Sequence, residues 1–494
     1  MERTTKRSKK KLALSAFTII LILTFGLAII SHLLPEAKFV GEELVDGSGV
    51  VGATLSQTLL SPILGFVDAI DVCLFIMILG GFLKIVNATN AIEDGIQVLI
   101  KKLKGNEIIL IPILMFLFSI GGTTYGMLEE TVGFYALLAA AMVAAGMDTI
   151  VSSAIVLLGA GSGVLGSTVN PFAVGGAVDS LPPGIEVNQG IIIGLGVILW
   201  ITTYLICTFF VVRYAKKVIK KKGSTFLSLQ ERRDMQETYG ADEEENKRVK
   251  LKKSQKATLI IFALTFVFMI IGFIPWEDFG VNLFVNLQES LESIPVIGGL
   301  FNGFIPLGQW YFQESTLWFL VMAILIGIVN KMGEHKIVDT FIDGADDMVG
   351  VVLIVAVARG ASVLMSVTHL DNYIIYNASK ALALVPAYIF APLNYMLHVG
   401  LSVLVPSSSG LATLSTPIMG GLAHEAGFSV EATVMEMVAA NGLVNLFTPT
   451  CGAIMGGLEL AKVNYTTWLK WVGKIIVLIA LVNIVVLTIA MCIL

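Results

Sequence analysis

The chain has 494 residues, of which 56% are hydrophobic and only 14% are charged, and its mean hydropathy is +0.85. Soluble domains carry about 25% charged residues because their surfaces face water, so this composition excludes an ordinary soluble enzyme. The formal net charge of −5 comes from loops of opposite sign and gives no indication of a nucleic-acid partner.

Long uncharged segments indicate helices that cross a lipid bilayer. About 20 apolar residues in a helix span the hydrocarbon core, which is ~30 Å thick. Barrel strands would alternate apolar and polar residues, and these segments do not. We therefore predict an all-α integral membrane protein, with nearly uncharged segments at residues 13–34, 190–212, 257–275, 316–329 and 471–494.

The basic N-terminal tail, residues 1–12, determines the predicted orientation. Residues 1–11 hold six basic side chains against one acid, and short segments rich in Lys and Arg stay on the cytoplasmic side. The apolar run that follows is too long for the core of a signal peptide and lacks a small-residue cleavage site. We predict a cytoplasmic N-terminus and a first span at residues 13–34.

A charged linker, residues 215–256, separates a first transmembrane half at 13–214 from a second half at 257–494. Residues 213–256 contain 14 Lys and Arg but only seven Asp and Glu, which indicates a cytoplasmic location. A solvated loop with no further task is the favoured interpretation.

Each half contains a predicted re-entrant hairpin. The segment at about 106–148 is apolar except for a polar patch at Gly121–Thr131, and both of its ends have cytoplasmic character. The segment at about 384–426 has Pro406–Gly410 near its middle. Non-helical backbone at membrane depth is tolerated only inside protein or beside a watery cavity, so we expect both tips to lie in such a place.

A span with a predicted helix break follows each hairpin. The first, at about 149–177, contains several glycines and Pro171, and the second, at about 431–457, contains Pro449. Proline removes a helix donor and glycine weakens a helix. The first broken span is predicted to run outward and the second inward, so the halves form an inverted repeat. This arrangement is typical of secondary transporters, which bind their solute at the breaks.

Four polar clusters at these tips and breaks are the candidate substrate-binding residues. Hydroxyl and amide side chains offer hydrogen bonds without a permanent charge, and broken helices expose N–H and carbonyl groups. The same residue types also favour close helix packing, but their repetition at matching positions favours a shared binding site. The clusters are Thr123 and Thr124; Ser167, Thr168 and Asn170; Ser407, Ser408 and Ser409; and Asn445, Thr448 and Thr450.

Three charged residues inside apolar segments are further candidates. An ionised group at membrane depth costs several kcal/mol unless it is paired or solvated. Glu129 and Glu130 either pair with a basic side chain to lock the first hairpin, or receive a cation that is coupled or belongs to the substrate. Arg359 either pairs with a glutamate or attracts a substrate carboxylate.

Motifs for enzymes and pumps are absent from the sequence. No Gly-rich loop ends in Gly-Lys-Ser/Thr, so nothing indicates ATP-driven pumping. No nucleophile–base pair or metal-ligand cluster is recognisable within the spans. We predict a non-enzymatic carrier of a small polar solute, with no catalytic residue, bound metal or cofactor, and we leave Na⁺ or H⁺ open as the coupling ion.

Three motifs resemble those of the anaerobic C4-dicarboxylate carrier family, and most closely its YfcC-type branch. The motifs are Gly-Met-x-Glu-Glu-Thr at 126–131, Gly-Ser-Thr-x-Asn-Pro-Phe at 166–172 and Pro-Ser-Ser-Ser-Gly-Leu-Ala-x-Leu-x-x-Pro-Ile-Met at 406–419. The resemblance covers nearly the whole chain and places it in the ion transporter superfamily. It implies a bacterial plasma membrane, a scaffold domain that often forms a homodimer, and a transport domain with two hairpins and two broken helices that moves as an elevator.

The resemblance leaves the class of substrate divided. The family takes its name from dicarboxylate carriers, whereas YfcC-type members include arginine–ornithine exchangers. Glu129 and Glu130 suit a cationic side chain, and the hydroxyls and half-helix N–H groups suit an amino-acid carboxylate. Arginine/ornithine antiport is therefore the first hypothesis. A Na⁺- or H⁺-coupled carrier of C4-dicarboxylates or other small organic anions is the alternative, which Arg359 favours; a peptide or fatty-acid exporter and a channel are more distant ones.

Overall fold

A computed structural model describes residues 16–494 except 42, 93, 96–97, 99–106, 222, 241–250, 274–275, 295–297 and 301. It does not describe the side chains of Ala16, Ile19, Glu43, Tyr125, Glu130, Pro171, Phe273, Asp278 and Phe279. The basic tail at 1–12, the start of the first predicted hairpin and part of the charged linker therefore lie outside the described residues.

The first half and the linker are helical, apart from one short pair of antiparallel strands. The elements are α1 (Ala16–Leu33), β1 (Phe39–Val40), β2 (Glu43–Leu44), α2 (Leu55–Asp68), α3 (Ile70–Ala88), α4 (Leu110–Tyr125), α5 (Val132–Ala144), α6 (Thr149–Leu165), α7 (Gly176–Asp179), α8 (Gln189–Lys220) and α9 (Leu229–Tyr239). A 3₁₀ turn at Glu129–Thr131 precedes α5, and a π-helical turn at Pro171–Gly175 precedes α7.

The described residues of the second half form helices joined by turns and loops, with no strand among them. Its helices are α10 (Lys253–Phe273), α11 (Leu283–Glu292), α12 (Phe312–Val329), α13 (Glu334–Asp347), α14 (Val349–Thr368), α15 (Leu370–Leu382), α16 (Ala387–Leu404), α17 (Ser408–Glu425), α18 (Val430–Val444), α19 (Gly452–Leu460) and α20 (Tyr465–Ile493). The predicted all-α class is confirmed.

Eight of the described helices are long and apolar enough to cross a membrane: α3, α4, α8, α10, α12, α14, α16 and α20. Large apolar side chains on their outer faces are exposed, such as Leu205 and Phe209 on α8 and Val485 on α20. Such surfaces suit lipid rather than water. The first arm of each predicted hairpin, α4 or α16, is among the eight. The structure is that of a multi-pass membrane protein.

Helices α6 and α18 form the centre of the molecule. All 17 residues of α6 are buried, and so is every residue of α18 except Glu431. Gly442 lets the two helices meet, because a Cβ added there would lie 2.3 Å from Cα of Leu165. The C-terminal ends of α6 and α18 therefore lie side by side in the interior, where neither can reach water except through a cavity.

Both central helices stop inside the protein. After Leu165 the backbone is non-helical through Asn170, and the π-helical turn then begins at Pro171. After Val444 it is non-helical through Cys451, and α19 begins at Gly452. These ends coincide with the Gly, Pro and Asn residues that predict the breaks, since such residues weaken a helix or compete for its hydrogen bonds.

The charged linker contains a helix that docks on the second half, in contrast to the favoured interpretation of a solvated loop. Glu231 of α9 is buried and accepts hydrogen bonds from N of Asn464, at 2.8 Å, and from Oγ1 of Thr467, at 3.1 Å. Tyr239 donates to the carbonyl of Leu460. Charge composition could not predict this docking. In the sequence, a glutamate that binds the start of a distant helix is not distinguishable from the other acidic residues of the linker.

Candidate functional site

A cavity of about 200 Å³ lies where the two hairpin tips meet the two helix breaks. Its polar wall consists of Glu129, Asn170, Arg359, Ser407, Ser408, Ser409, Asn445, Thr450 and Cys451. Apolar side chains complete the wall, among them Val72, Leu128, Phe172, Phe312 and Val355. The wall is about equally polar and apolar, and polar groups that converge on one concave site are typical of small-molecule binding.

The serine tip, residues 406–409, supplies hydrogen-bond donors to the cavity. Ser407 is the N-cap of α17, and its hydroxyl accepts a hydrogen bond from N of Gly410 at 3.3 Å. The first N–H groups of a helix have no partner within it and carry partial positive charge. Ser408 and Ser409 begin α17 at the cavity wall, so this end of the cavity suits an anionic group such as a carboxylate.

Two asparagines of α18 hold the serine tip in place. The side-chain amides of Asn441 and Asn445 both donate to the carbonyl of Pro406, at 3.2 and 3.1 Å. The hydroxyl of Ser408 donates to Oδ1 of Asn441 at 2.8 Å. Thr450, on the far side of the break, donates to the carbonyl of Val403 at 2.7 Å. The second tip and the second break therefore form one hydrogen-bonded unit.

The first tip and the first break are joined in a similar way. The hydroxyl of Thr123 donates to the carbonyl of Gly166 at 2.8 Å, and N of Thr168 donates back to the carbonyl of Thr123 at 2.9 Å. The tip ends at Gly126, whose φ of +83° favours glycine. A Cβ at Gly126 would lie 2.7 Å from the amide nitrogen of Asn170, so any larger residue would also displace the Asn170 side chain.

Several predicted site residues hold the backbone and do not line the cavity. Thr124 donates to the carbonyl of Ile120 at 2.8 Å, one turn back in its own helix. The hydroxyl of Ser167 donates to the carbonyl of Val164 at 2.7 Å. The predicted residues that do not line the cavity, among those described, are Thr123, Thr124, Ser167, Thr168 and Thr448. The side chain of Glu130 lies outside the described residues.

The remaining predicted site residues share one cavity, although they come from five separate segments of chain. They are Glu129, Asn170, Arg359, Ser407, Ser408, Ser409, Asn445 and Thr450. Four further residues at the site were not predicted from the sequence: Asn441, Phe172, Phe312 and Asp68. Asn441 lies one helical turn before Asn445, and this spacing, which puts both amides on one face of α18, is a signal that could have revealed it.

Arg359 pairs with Asp68 and not with Glu129. Nε of Arg359 lies 2.9 Å from Oδ2 of Asp68, and the Arg359 side chain is 28% exposed. An acid in an apolar segment needs a partner, and Arg359 is the lone basic residue of its own segment, so the sequence indicates that each needs a partner but does not identify it.

Glu129 is left as the unpaired charge of the cavity wall. Within the part of the chain that the structure describes, Glu129 takes part in no ion pair. Arg359 and Asp68 neutralise each other, so the described wall carries a net charge of about −1 from Glu129. Among the described residues no group of three or more His, Cys, Asp or Glu could hold a metal ion.

Comparisons with known proteins agree with this architecture. The family model described as "C4-dicarboxylate anaerobic carrier" matches residues 14–492. A Haemophilus influenzae protein of unassigned function is 29% identical over 84% of this chain and 74% of its own length. YfcC of Escherichia coli, whose name proposes a basic amino acid antiporter, is 27% identical over 81% of this chain and 74% of its own length.

Two solved transporter structures cover nearly the whole chain. The YdaH transporter of Alcanivorax borkumensis has 13% identity and a TM-score of 0.45 and covers 96% of this chain and 98% of its own. MtrF of Neisseria gonorrhoeae, reported with a class of antimetabolite efflux pumps, has 14% identity and a TM-score of 0.42 and covers 98% and 96%. These scores are too low to support an inference about function. On the family match, the chain belongs to the C4-dicarboxylate anaerobic carrier family and is a membrane transporter, not an enzyme.

Proposed function

We propose that this transporter exchanges basic amino acids, arginine for ornithine, across the bacterial plasma membrane. The observation that carries the proposal is the unpaired carboxylate of Glu129 in a cavity whose one basic side chain in the described wall is already neutralised by Asp68. A guanidinium or ammonium group bound beside Glu129 would supply the missing positive charge. A dicarboxylate would add two negative charges to a wall whose described residues include no free cation to meet them.

The opposite end of the cavity supports the rest of the substrate. Ser409 lines the cavity with its hydroxyl, and the N-terminus of α17 at Ser408 and Ser409 offers free N–H groups to an α-carboxylate. The carbonyl of Pro406 is occupied by Asn441 and Asn445, so the tip presents donors rather than acceptors to its ligand. One acidic end and one donor-rich end match an amino acid that carries a cationic side chain.

Alternating access by an elevator-type motion is part of the proposal. The two tips, the two breaks and their hydrogen bonds form a compact unit that could move as a rigid body, and exchange requires the site to face each side in turn. The N-terminus is proposed to be cytoplasmic, segments 106–148 and 384–426 to be re-entrant hairpins, and the scaffold to form a homodimer.

Carriage of C4-dicarboxylates is the alternative, and the description of the matching family favours it. It would require Arg359 to turn from Asp68 toward the ligand. A direct binding measurement separates the two functions. Arginine and ornithine should raise the melting temperature of the purified protein, whereas citrulline and succinate should not. Citrulline has the length of arginine but an uncharged side chain. Stabilisation by succinate alone would contradict the proposal.

We expect the Asp68→Asn substitution to reduce selectivity for cations. It leaves Arg359 without its partner and brings the described wall from about −1 to about 0 net charge, so arginine affinity should fall about tenfold while succinate affinity rises. Titration of the melting temperature with each ligand measures both effects. The matched control is Asp347→Asn, which breaks the exposed Lys84–Asp347 ion pair elsewhere. Equal effects of the two substitutions would show that Arg359 does not act on the ligand.

A further inference from the structure

A buried polar cluster lies away from the cavity, between α16 and α18. The side chains of Glu436, Asn394 and His398 are all fully buried, with 0% of their surface exposed. The amide nitrogen of Asn394 donates to Oε2 of Glu436 at 2.6 Å. Neither Glu436 nor Asn394 belongs to the described cavity wall, so the proposed transport mechanism makes no use of them.

The cluster offers no positive charge to Glu436. The Nδ1 atom of His398 lies 2.8 Å from the backbone carbonyl of Asn394, which can only accept, so Nδ1 carries the proton. The other ring nitrogen then accepts from the hydroxyl of Ser415. His398 is therefore fully satisfied as a neutral imidazole, and no ion pair to Glu436 exists in the part of the chain that the structure describes.

Other titratable groups on the elements around α18 do not supply a charge either. The central α6 and the π-helical turn have no titratable side chain, and the charged side chains of α8, α17 and α20 are exposed: Arg213, Lys216, Lys217, Lys220, His424, Glu425, Lys470 and Lys474. The buried titratable side chains on these elements, besides His398, are Tyr395, Cys207 and Tyr214. Tyr395 accepts from the amide of Asn483 at 3.0 Å.

Two buried oxygen atoms in the cluster have no hydrogen-bond partner: Oε1 of Glu436 and Oδ1 of Asn394. They belong to the same two planar groups that are already joined by the bond from the Asn394 amide to Oε2. A proton on Oε1 would turn that oxygen into a donor, and Oδ1 of Asn394 is the free acceptor. A buried oxygen without a hydrogen bond and a buried charge without a partner are both costly in free energy. One proton would satisfy both unpaired oxygens and remove the buried charge.

We propose that Glu436 and Asn394 form a proton-binding site, in which a proton on Oε1 of Glu436 is donated to Oδ1 of Asn394. Together with the observed bond from the Asn394 amide to Oε2, this second bond would close a cyclic acid–amide pair. Loss of the proton would leave a carboxylate in the protein interior with one donor and no cation. Ionisation therefore requires α16 and α18 to separate or water to enter between them.

The site joins the two helices that also meet at the serine tip. Asn441 follows Glu436 by five residues, a rise of about 7.5 Å along α18, and it holds the tip that follows α16. Proton binding stabilises the packing of α16 on α18, and this packing places the tip. Binding of the proton and of the solute are consequently linked, and the linkage is reciprocal. This last step depends on the proposed function, whereas the proton site does not.

The protonation state can be read without any substrate. Infrared difference spectra of the purified full-length protein, wild type minus Glu436→Gln, should show at neutral pH the C=O stretch of a protonated carboxylic acid that shifts in D₂O. Glu436→Gln keeps both hydrogen bonds, because its amide can donate to Oδ1 and accept from the Asn394 amide, so this variant should fold. Carboxylate bands in place of the acid band would overturn the proposal, as would an acid band that addition of Na⁺ removes with proton release.

The pH dependence of stability gives a second measurement. Above the ordinary titration range of a glutamate, the folded state holds a proton that the unfolded chain has released, so stability must fall as pH rises above about pH 5. For each pH unit, the unfolding equilibrium constant of the wild type should rise by up to about tenfold more than that of Glu436→Gln. Identical slopes would overturn the site. If the infrared result holds but arginine affinity shows the same pH dependence in both proteins, the linkage alone is contradicted.

Discussion

The Glu129→Gln substitution is expected to weaken arginine and ornithine binding by about 10- to 100-fold. A hydrogen bond to a charged partner contributes about 1.5–3 kcal/mol, and each 1.4 kcal/mol corresponds to about tenfold in affinity. Glu129 is the one unpaired charge in the described wall. Gln keeps the shape of the side chain and removes only its charge, so loss of affinity reports the electrostatic role.

Two control variants make the result for Glu129 specific. Glu129→Asp keeps the charge and should retain more affinity than Glu129→Gln. Glu334→Gln removes an acid whose side chain is 79% exposed, and it should leave binding unchanged. Ligand titrations of the melting temperature and exchange rates in proteoliposomes measure the effect. Full arginine exchange by Glu129→Gln would refute a substrate role for this carboxylate.

The Asn441→Ala substitution is expected to reduce the affinity for every transported solute by about tenfold, regardless of charge. Asn441 accepts from Ser408 at 2.8 Å and from Asn445 at 3.1 Å, and it donates to Pro406 at 3.2 Å. Removing it deprives the Ser408 hydroxyl of its acceptor and the Pro406 carbonyl of one of its two donors, and each hydrogen bond contributes about 0.5–1.5 kcal/mol. The serine tip then loses its fixed position, which lowers affinity without changing the net charge of the site.

The control for Asn441 is Thr413→Ala. Thr413 is exposed and its hydroxyl donates at 2.6 Å to the carbonyl of Ser409 within α17, so its loss should change neither affinity nor selectivity. Parallel titrations with arginine, ornithine and lysine show whether the loss is uniform. An Asn441→Ala protein with wild-type affinity would mean that the tip is held by Asn445 and Thr450 alone.

The architecture could be predicted largely from local chemistry. Membrane-spanning helices follow from runs of apolar residues, which need no tertiary information. The ends of α6 and α18 lie at residues rich in Gly, Pro and Asn, which disfavour helix on their own. The family resemblance rests on short motifs at the same places, and the match over residues 14–492 confirms it.

The sequence does not show which polar residues line the cavity and which hold the backbone in place. Thr123 binds a backbone carbonyl of α6's C-terminal turn, whereas Ser408 lines the cavity, yet both are hydroxyl residues at a hairpin tip. Packing and binding use the same side chains in membranes, so composition cannot separate them. The Arg359–Asp68 pair joins residues almost 300 positions apart, and such a pairing depends on how α2 and α14 pack.

Counterflow in proteoliposomes tests the central claim most directly. Vesicles loaded with unlabelled ornithine should take up labelled arginine, and vesicles loaded with citrulline, succinate or buffer should not, because exchange requires a transportable solute on the inner side. Glu129→Gln vesicles should show the loss predicted above. Uptake of labelled succinate into succinate-loaded vesicles, with no arginine uptake under any loading, would contradict the account and make Arg359 the residue that binds substrate.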